Sequence, residues 1–81
     1  MYYVYLLFNP KRRHFYIGVT SSLKDRIQQH KKTKKDYVMV YYEAYLSKKD
    51  AFSREKKLKL YGSSLGHLKK RIKNTLTLLG K

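Results

Sequence analysis

Residues 15–30 read FYIGVTSSLKDRIQQH, and this stretch restricts the fold more than any other part of the chain. It opens with Phe15, Ile17 and Val19 at every second position, a pattern that predicts a β-strand. Ser22, with Asp25 three residues later, has the spacing of a helix N-cap. A strand that leads at once into a helix predicts a domain in which helices pack on a sheet.

The predicted helix carries Arg26 and His30 four residues apart, so the two side chains lie on one helix face. Tyr16 and Gly18 alternate with the apolar residues of the strand and share its other face. One strand, one short connection and one helix thus bring a phenol, a glycine, a guanidinium and an imidazole within reach of each other. These residues are the first candidates for a functional site.

The remaining elements follow from strand and helix signals along the chain. Strands are predicted at residues 2–8, 14–20 and 37–45, and helices at 23–31, 48–61 and from Ser63 or Ser64 onward. Asn9-Pro10 ends the first strand of an antiparallel hairpin, and Gly62 is expected to end the second helix. We therefore predict an α+β fold of order β-β-α-β-α-α, with a three-stranded antiparallel sheet flanked by helices. Residues 1–76 form one domain, and residues 77–81 are expected to be a frayed tail.

The two-residue period also assigns the faces of the hairpin. One face is wholly apolar and is expected to pack against a helical layer: Val4, Leu6, Phe8, Phe15, Ile17 and Val19. Tyr3, Tyr5, Tyr16 and Gly18 lie on the opposite face. Leu23 and Ile27 are expected to insert from the first helix into the core.

The charge of the chain indicates its partner. Twenty Lys and Arg residues against five acids give a net charge of +15 on 81 residues, with a pI near 10.1. Such a field attracts polyanions, and the binding weakens with salt as counterions are released. We predict a nucleic acid as partner, with DNA first and RNA second; an anionic membrane surface is the alternative. The nine tyrosines suit base stacking or, alternatively, the sheet and core.

The composition of the chain excludes several other classes of protein. The chain has no cysteine, which excludes disulfides and cysteine-ligated metal sites and fits a reducing compartment. The apolar start at residues 1–8 is too short and too rich in tyrosine for a signal peptide. No apolar run approaches the roughly 20 residues that span a bilayer. We therefore expect a soluble, cytoplasmic protein without membrane attachment.

Among the five acids, Glu55 has the most unusual position. Ala51, Glu55 and Leu58 share one helix face, so a carboxylate interrupts the stripe that should face inward. The alternative is an exposed ion pair with Lys59, or with the neighbouring Arg54 or Lys56. Glu43, which lies in the third predicted strand, has no special context in the sequence. A single carboxylate can hold Mg²⁺ when waters and a substrate phosphate supply the remaining ligands.

The ordered set of these residues resembles the signature of the GIY-YIG nuclease superfamily. Tyr3-Val4-Tyr5 and Tyr16-Ile17-Gly18 resemble the paired tripeptides, and the resemblance extends through Arg26, His30 and Glu55 to about Asn74. The chain is most similar to small stand-alone members of the excinuclease-C-like type. It departs from the signature at Tyr3, which replaces the first glycine.

The resemblance implies a role for each matching residue. Tyr5 and Tyr16 match two active-site tyrosines, one of which helps to deprotonate the attacking water. Gly18 matches a glycine that keeps the site open, Arg26 an arginine that holds the scissile phosphate, and His30 a histidine found in many members. Glu55 matches the single metal-binding glutamate. Lys24 and Asn74 are further candidates for substrate contacts, Asn74 as the counterpart of a late asparagine.

The resemblance predicts a Mg²⁺-dependent endonuclease, with Mn²⁺ as a substitute, that acts in repair or in processing of branched or damaged DNA. Nearby cations, Arg26 among them, are expected to lower the pKa of the catalytic tyrosine from its ordinary value near 10. Taken singly, the tyrosines also fit plain sheet positions, and His30 fits a cation at a helix C-terminus. Two other functions stay open: a basic module that binds nucleic acid without cutting it and relies on a partner for targeting, and a basic domain whose partner is a protein.

Overall fold

The computed structural model describes residues 1–79. Over these residues the elements are β1 (Tyr2–Asn9), β2 (His14–Thr20), α1 (Leu23–Thr33), β3 (Val38–Tyr45), α2 (Lys48–Leu60), α3 (Gly62–Arg71) and α4 (Lys73–Leu79). The three strands form one antiparallel sheet in the order β2-β1-β3. The predicted α+β class and the three-stranded antiparallel sheet are confirmed. None of the helices in this part of the chain is long and apolar enough to cross a bilayer.

Strand β1 lies in the centre of the sheet and fixes the register of both neighbours. Tyr5 pairs with Gly18 of β2 and with Tyr42 of β3, while Leu7 pairs with Tyr16. The pairing with β3 shifts between Leu6 and Leu7, where the ladder has an irregularity. Because paired residues point to the same face of a sheet, Tyr5, Tyr16 and Gly18 share one face, as predicted.

The apolar face of the sheet packs against α2 and α3. The buried core consists of Val4, Leu6, Ile17, Ala51, Leu58 and Leu68, with Phe15 and Val19 among the half-buried residues around it. Phe8 and Phe15 pair across the hairpin with their ring centroids 4.6 Å apart. Burying each large apolar side chain contributes about 1.5–3 kcal/mol, so this layer is the main source of stability. The predicted apolar face is confirmed.

Helix α1 lies against the other face of the sheet, and its buried residue is a histidine. His30 is 8% exposed, whereas Ile27 is 38% exposed and Leu23 is half-buried. The expectation that Leu23 and Ile27 insert into the core is therefore wrong for Ile27. The physical reason is that α1 faces the tyrosine side of the sheet, where an imidazole finds a polar partner that an isoleucine would not.

Two serines begin the helices as the sequence predicts. The Ser22 hydroxyl accepts a hydrogen bond from the Asp25 backbone N–H at 3.4 Å, and Ser47 accepts one from Asp50 at 3.3 Å. Each cap satisfies one of the backbone donors that an isolated helix N-terminus leaves free.

The C-terminal region differs from the prediction in three ways. Helix α2 ends at Leu60 with Tyr61 as its C-cap, so Gly62 follows the end of the helix as predicted. Gly62 is also the first residue of α3, and Tyr61 links the two helices without a side-chain cap, so the expected serine start at 63 or 64 is wrong. The single last helix that we expected is divided at Ile72 into α3 and α4. Residues 77–79, expected to fray, belong to α4. Gly80 and Lys81 of the predicted tail lie outside the described residues.

Candidate functional site

The hydroxyl end of Tyr5 lies directly over the backbone of Gly18. A Cβ atom at Gly18 would overlap the Tyr5 hydroxyl oxygen and would lie 2.9 Å from Cε2 of the ring. The two residues pair across β1 and β2, and Tyr5 is only 1% exposed. Glycine is therefore required here because the phenol fills the space that any other side chain would occupy. The glycine makes room for Tyr5. That it also keeps the site open to substrate stays a prediction.

His30 completes a cluster of three rings with the two tyrosines. Its Nε2 atom lies 3.2 Å from the Tyr5 hydroxyl oxygen, and either group can donate this hydrogen bond, depending on the tautomer. The His30 ring centroid is 5.5 Å from that of Tyr5 and 5.9 Å from that of Tyr16. The two tyrosine rings are 6.4 Å apart. The structure thus brings together Tyr5, Tyr16, Gly18 and His30, as the sequence predicted.

Burial shifts the pKa values of Tyr5 and His30. Burial raises the pKa of the Tyr5 phenol above its ordinary value, although the charge of Arg26 acts in the opposite direction. The expectation that cations lower the pKa of the catalytic tyrosine is therefore wrong for Tyr5, because burial outweighs them. Burial, together with the charges of Arg26 and Lys34, lowers the pKa of His30. At neutral pH Tyr5 and His30 are both uncharged.

Arg26 and Glu55 lie close enough to Tyr5 for their charges to act on its phenol. Arg26 lowers the pKa of Tyr5 and Glu55 raises it, each in the direction that its sign dictates. Arg26 is half-buried in the first half of α1. One cation and one carboxylate therefore approach the ring cluster from two different helices, as the ordered set of residues predicted.

The structure agrees with both interpretations of Glu55, as a carboxylate that faces inward and as the partner of Lys59 in an ion pair. Its carboxylate pairs with Lys59 at 3.3 Å, one helical turn away, which is the predicted alternative. The Glu55 side chain is nevertheless only 19% exposed, against 51% for Lys59. Arg54 pairs instead with Glu43, at 2.9 Å. Glu55 is thus a largely buried carboxylate whose ion pair is held by an exposed, flexible partner.

The metal-ligating side chains of the described residues do not form a cluster. Residues 1–79 contain no group of three or more His, Cys, Asp or Glu side chains that could surround an ion. A lone carboxylate such as Glu55 suits Mg²⁺ or Mn²⁺, which take oxygen ligands; Mg²⁺ keeps several waters and takes further ligands from substrate phosphates.

Two predicted substrate contacts, Lys24 and Asn74, are exposed side chains. Lys24 is exposed at the start of α1, and Asn74 is exposed on α4, the last described helix. Within residues 1–79, no side-chain hydrogen bond or ion pair joins either residue to Tyr5, Tyr16 or His30. Their proposed roles rest on the resemblance alone.

The sequence reasoning missed a second polar cluster around Glu43. The carboxylate accepts hydrogen bonds from the hydroxyls of Tyr41 at 3.0 Å and Tyr45 at 3.2 Å, and from Nε of Arg54 at 2.9 Å. Burial, together with Glu43, raises the pKa of both tyrosines. The signal was present in β3, where Tyr41, Glu43 and Tyr45 occupy every second position and so share one face. This face packs toward the core, away from Tyr5, so the cluster is structural.

The sequence profile of the GIY-YIG catalytic domain matches residues 1–70 of the chain. The chain belongs to the GIY-YIG family. The match spans the sheet, α1, α2 and most of α3, and ends before α4, so Asn74 lies outside it. No curated protein and no solved structure gave a significant match to the chain.

Membership in this family indicates a general function for the domain that contains the ring cluster. GIY-YIG domains are nuclease-type domains, and the fold of the chain, a three-stranded antiparallel sheet with helices, is consistent with theirs. Of the residues that match the signature, Tyr5, Tyr16 and Gly18 lie on the tyrosine face of the sheet, Arg26 and His30 lie on α1, and Glu55 lies on α2. The domain therefore has a nuclease-type function and interacts with nucleic acid.

Proposed function

We propose that this GIY-YIG domain is a divalent-metal-dependent endonuclease that hydrolyses phosphodiester bonds in DNA. The observation that carries the proposal is the convergence on one sheet face of Tyr5, Tyr16 and His30, with the charges of Arg26 and Glu55 acting on the same phenol. A cation, a carboxylate and ionisable phenols are the groups that phosphodiester hydrolysis needs at its reacting centre.

The net charge of +15 supports a polyanionic substrate, since binding to phosphates is sequence-independent and strong for such a protein. The lack of cysteine supports a reducing compartment, and we place the activity in the cytoplasm. Repair or processing of branched or damaged DNA is the role that we propose.

The two tyrosines differ in access, and we assign them different tasks. Tyr5 is almost completely buried and its pKa is raised, so it stays protonated and positions His30 through their hydrogen bond. Tyr16 is half-buried and can be reached by a substrate water. In its phenolate form Tyr16 would take the proton of the attacking water.

Arg26 and Glu55 supply the two charged groups of the proposed active site. The Arg26 guanidinium would hold the scissile phosphate and stabilise the negative charge that develops on its oxygens. A Mg²⁺ or Mn²⁺ ion bound by the Glu55 carboxylate would supply Lewis-acid activation of the same phosphate. The Lys59 partner competes little for this carboxylate, because an i,i+4 ion pair of this kind contributes only about 0.3–0.5 kcal/mol.

The test is cleavage of single-stranded, duplex and branched DNA with Mg²⁺ or Mn²⁺. We expect metal-stimulated cleavage by the wild type, abolished by chelation and lost in Glu55→Gln. Asp50→Asn is the matched control, since it removes the same charge from an exposed position on the same helix, and its cleavage should equal that of the wild type.

Two outcomes would overturn the proposal. If the wild type and Glu55→Gln are equally inert but bind DNA with strong salt dependence, the domain is a binding module that does not cut. If binding to DNA is absent and affinity for a protein partner is insensitive to salt, the basic surface serves protein recognition. Equal activity of the wild type and Glu55→Gln would remove Glu55 from the mechanism.

A further inference from the structure

The tip of the β1–β2 hairpin, residues 10–13, is held in a fixed shape by Asn9. The Asn9 side chain is buried, and its carbonyl oxygen accepts hydrogen bonds from the backbone N–H groups of Lys11 and Arg12, both at 3.1 Å. Arg13 has φ of 52°, in the left-handed region that tight turns use. The basic side chains of the tip therefore project from an ordered turn.

The turn between α1 and β3, residues 34–37, is fixed as well. The backbone N–H of Lys34 donates to His30 at 2.7 Å, and the N–H of Tyr37 donates to Lys34 at 3.0 Å. His14, the first residue of β2 after the hairpin tip, connects to the second turn through a hydrogen bond of 2.7 Å between its Nδ1 and the Tyr37 hydroxyl. Two preordered basic turns thus stand side by side at one end of the sheet.

A polar depression lies between these turns, and we call it the two-turn depression. Its lining includes Asn9, Arg12, Lys34, Lys35, Asp36 and Tyr37. Three cations face one carboxylate there, so the depression attracts an anion. Arginine and lysine are the residues that hold phosphate oxygens, and Tyr37 adds a partly exposed aromatic ring.

Lys34 connects the depression with the ring cluster. Its Nζ atom lies 4.5 Å from the ring centroid of Tyr16 and 5.7 Å from that of Tyr37. The charge of Lys34 also acts on His30, whose pKa it helps to lower. A continuous cationic and aromatic surface therefore extends from Tyr16 into the depression.

We propose that the two-turn depression binds the sugar-phosphate backbone of the DNA strand on one side of the cleaved bond. This inference rests on the proposed nuclease function and deepens it, because it names the surface that holds the strand beside the cleaved bond. The many cations on α2 and α3 are the competing surface; the core residues of these helices pack against the apolar face of the sheet, whereas Lys34 lies over the ring of Tyr16 on the other face. Recognition in the depression is through phosphate, so it is independent of base sequence.

The first test measures binding to a single-stranded oligonucleotide in chelator, where no cleavage occurs. The triple variant Arg12→Ala/Lys34→Ala/Lys35→Ala should bind more weakly, with a slope of log affinity against log salt that is smaller by about 2, at roughly 0.7 per lost phosphate contact. The control removes the same charge from exposed positions on α2 and α3, in Lys49→Ala/Lys57→Ala/Lys70→Ala, and should keep the wild-type slope. Circular dichroism confirms that each variant is folded, and the single variant Arg12→Ala, on the exposed tip, substitutes if the triple does not fold.

The second test uses the absence of cysteine in the chain. A photocrosslinker attached to Lys35→Cys should react with nucleotides on one side of the cleaved bond, whereas the same reagent on Lys49→Cys should react weakly and without a preferred position. Equal slopes for the two triple variants, or equal crosslinking from the two positions, would overturn the inference. Cleavage by the wild type would then still stand, so this failure is distinct from failure of the proposed nuclease function. If the DNA affinity of the wild type is itself negligible, the inference and the proposed function both fall.

Discussion

The phenol of Tyr5 occupies the space that a side chain on Gly18 would need. The two residues face each other across β1 and β2, and the Tyr5 hydroxyl lies 3.2 Å from Nε2 of His30. A glycine on β2 thus determines where a ring on β1 lies, and that ring determines where an imidazole on α1 lies. The site is assembled by close packing, so small changes in volume should have large effects.

The first prediction concerns Gly18→Ala. The added methyl group must displace the buried Tyr5 ring, and we expect a loss of about 1–3 kcal/mol in the free energy of unfolding, as for other overpacked cores. Cleavage should fall as well, since the ring cluster moves. Urea unfolding and cleavage rates measure the two effects.

Gly66→Ala is the matched control, because a Cβ atom there meets no atom within 4 Å and the residue lies inside α3. This substitution should leave cleavage unchanged and raise stability by about 0.4–1 kcal/mol. If Gly18→Ala is as stable and active as Gly66→Ala, the packing argument is wrong.

The second prediction separates the two tyrosines. Tyr5→Phe leaves a buried His30 nitrogen without its partner and should cost about 1–3 kcal/mol of stability. Tyr16→Phe removes a hydroxyl from a half-buried residue and should change stability by less than about 0.5 kcal/mol. Its cleavage rate should nevertheless fall by about 10²–10⁴-fold, the usual contribution of a general base. A Tyr16→Phe variant with wild-type kcat would contradict the assignment of Tyr16 as the base.

The third prediction concerns stability between about pH 7.5 and 5.5. Burial lowers the pKa of His30 in the folded state below its ordinary value near 6.5, so the unfolded chain takes up this proton first. The contribution of His30 to the free energy of unfolding should therefore be fully present above its unfolded pKa. This contribution should be lost as the pH falls through 6.5 toward the folded pKa. Urea midpoints across this range should show a smaller slope for His30→Gln than for the wild type. The exposed His67→Gln is the control and should keep the wild-type slope; equal slopes for all three proteins would refute this explanation.

The fourth prediction compares two carboxylates. Glu43→Ala removes the acceptor of Tyr41, Tyr45 and Arg54, and should cost about 1.5–3 kcal/mol because the bonds to a charged group are lost. Cleavage per folded molecule should be unchanged. Glu55→Gln should show the reverse: a stability change below about 0.5 kcal/mol and no cleavage. Loss of cleavage in folded Glu43→Ala would show that the Glu43 cluster is more than structural.

The sheet faces could be predicted because they depend on a period of two. Once Val4, Leu6 and Ile17 are assigned to a buried face, Tyr5 and Tyr16 have only the other face to occupy, and the observed register agrees. The caps at Ser22 and Ser47 are equally local, since each is decided by a residue three positions away.

The features that could not be predicted from the sequence depend on contacts between residues that are far apart in the chain. The apolar period of α1 placed Ile27 inside, but the helix covers a polar face and buries His30 instead. The pKa of the catalytic tyrosine, Tyr5 or Tyr16, was expected to fall because cations can be counted in the sequence, whereas the burial that raises the pKa of Tyr5 cannot. In the same way, the partners of Glu43 lie on two elements, and only folding shows that Arg54 belongs to it rather than to Glu55.

The central position of β1 has a consequence for the dynamics of the site. This strand is hydrogen-bonded along both edges, and residues 4–9 are all buried. Its amides should be among the last in the domain to exchange with solvent, because they open only when the sheet itself comes apart. Tyr5 is thus carried by the slowest-opening segment, whereas Glu55 lies on a helix that packs against one face of the sheet. We therefore expect the Tyr5 phenol to keep its position during local openings that move the helix carrying Glu55.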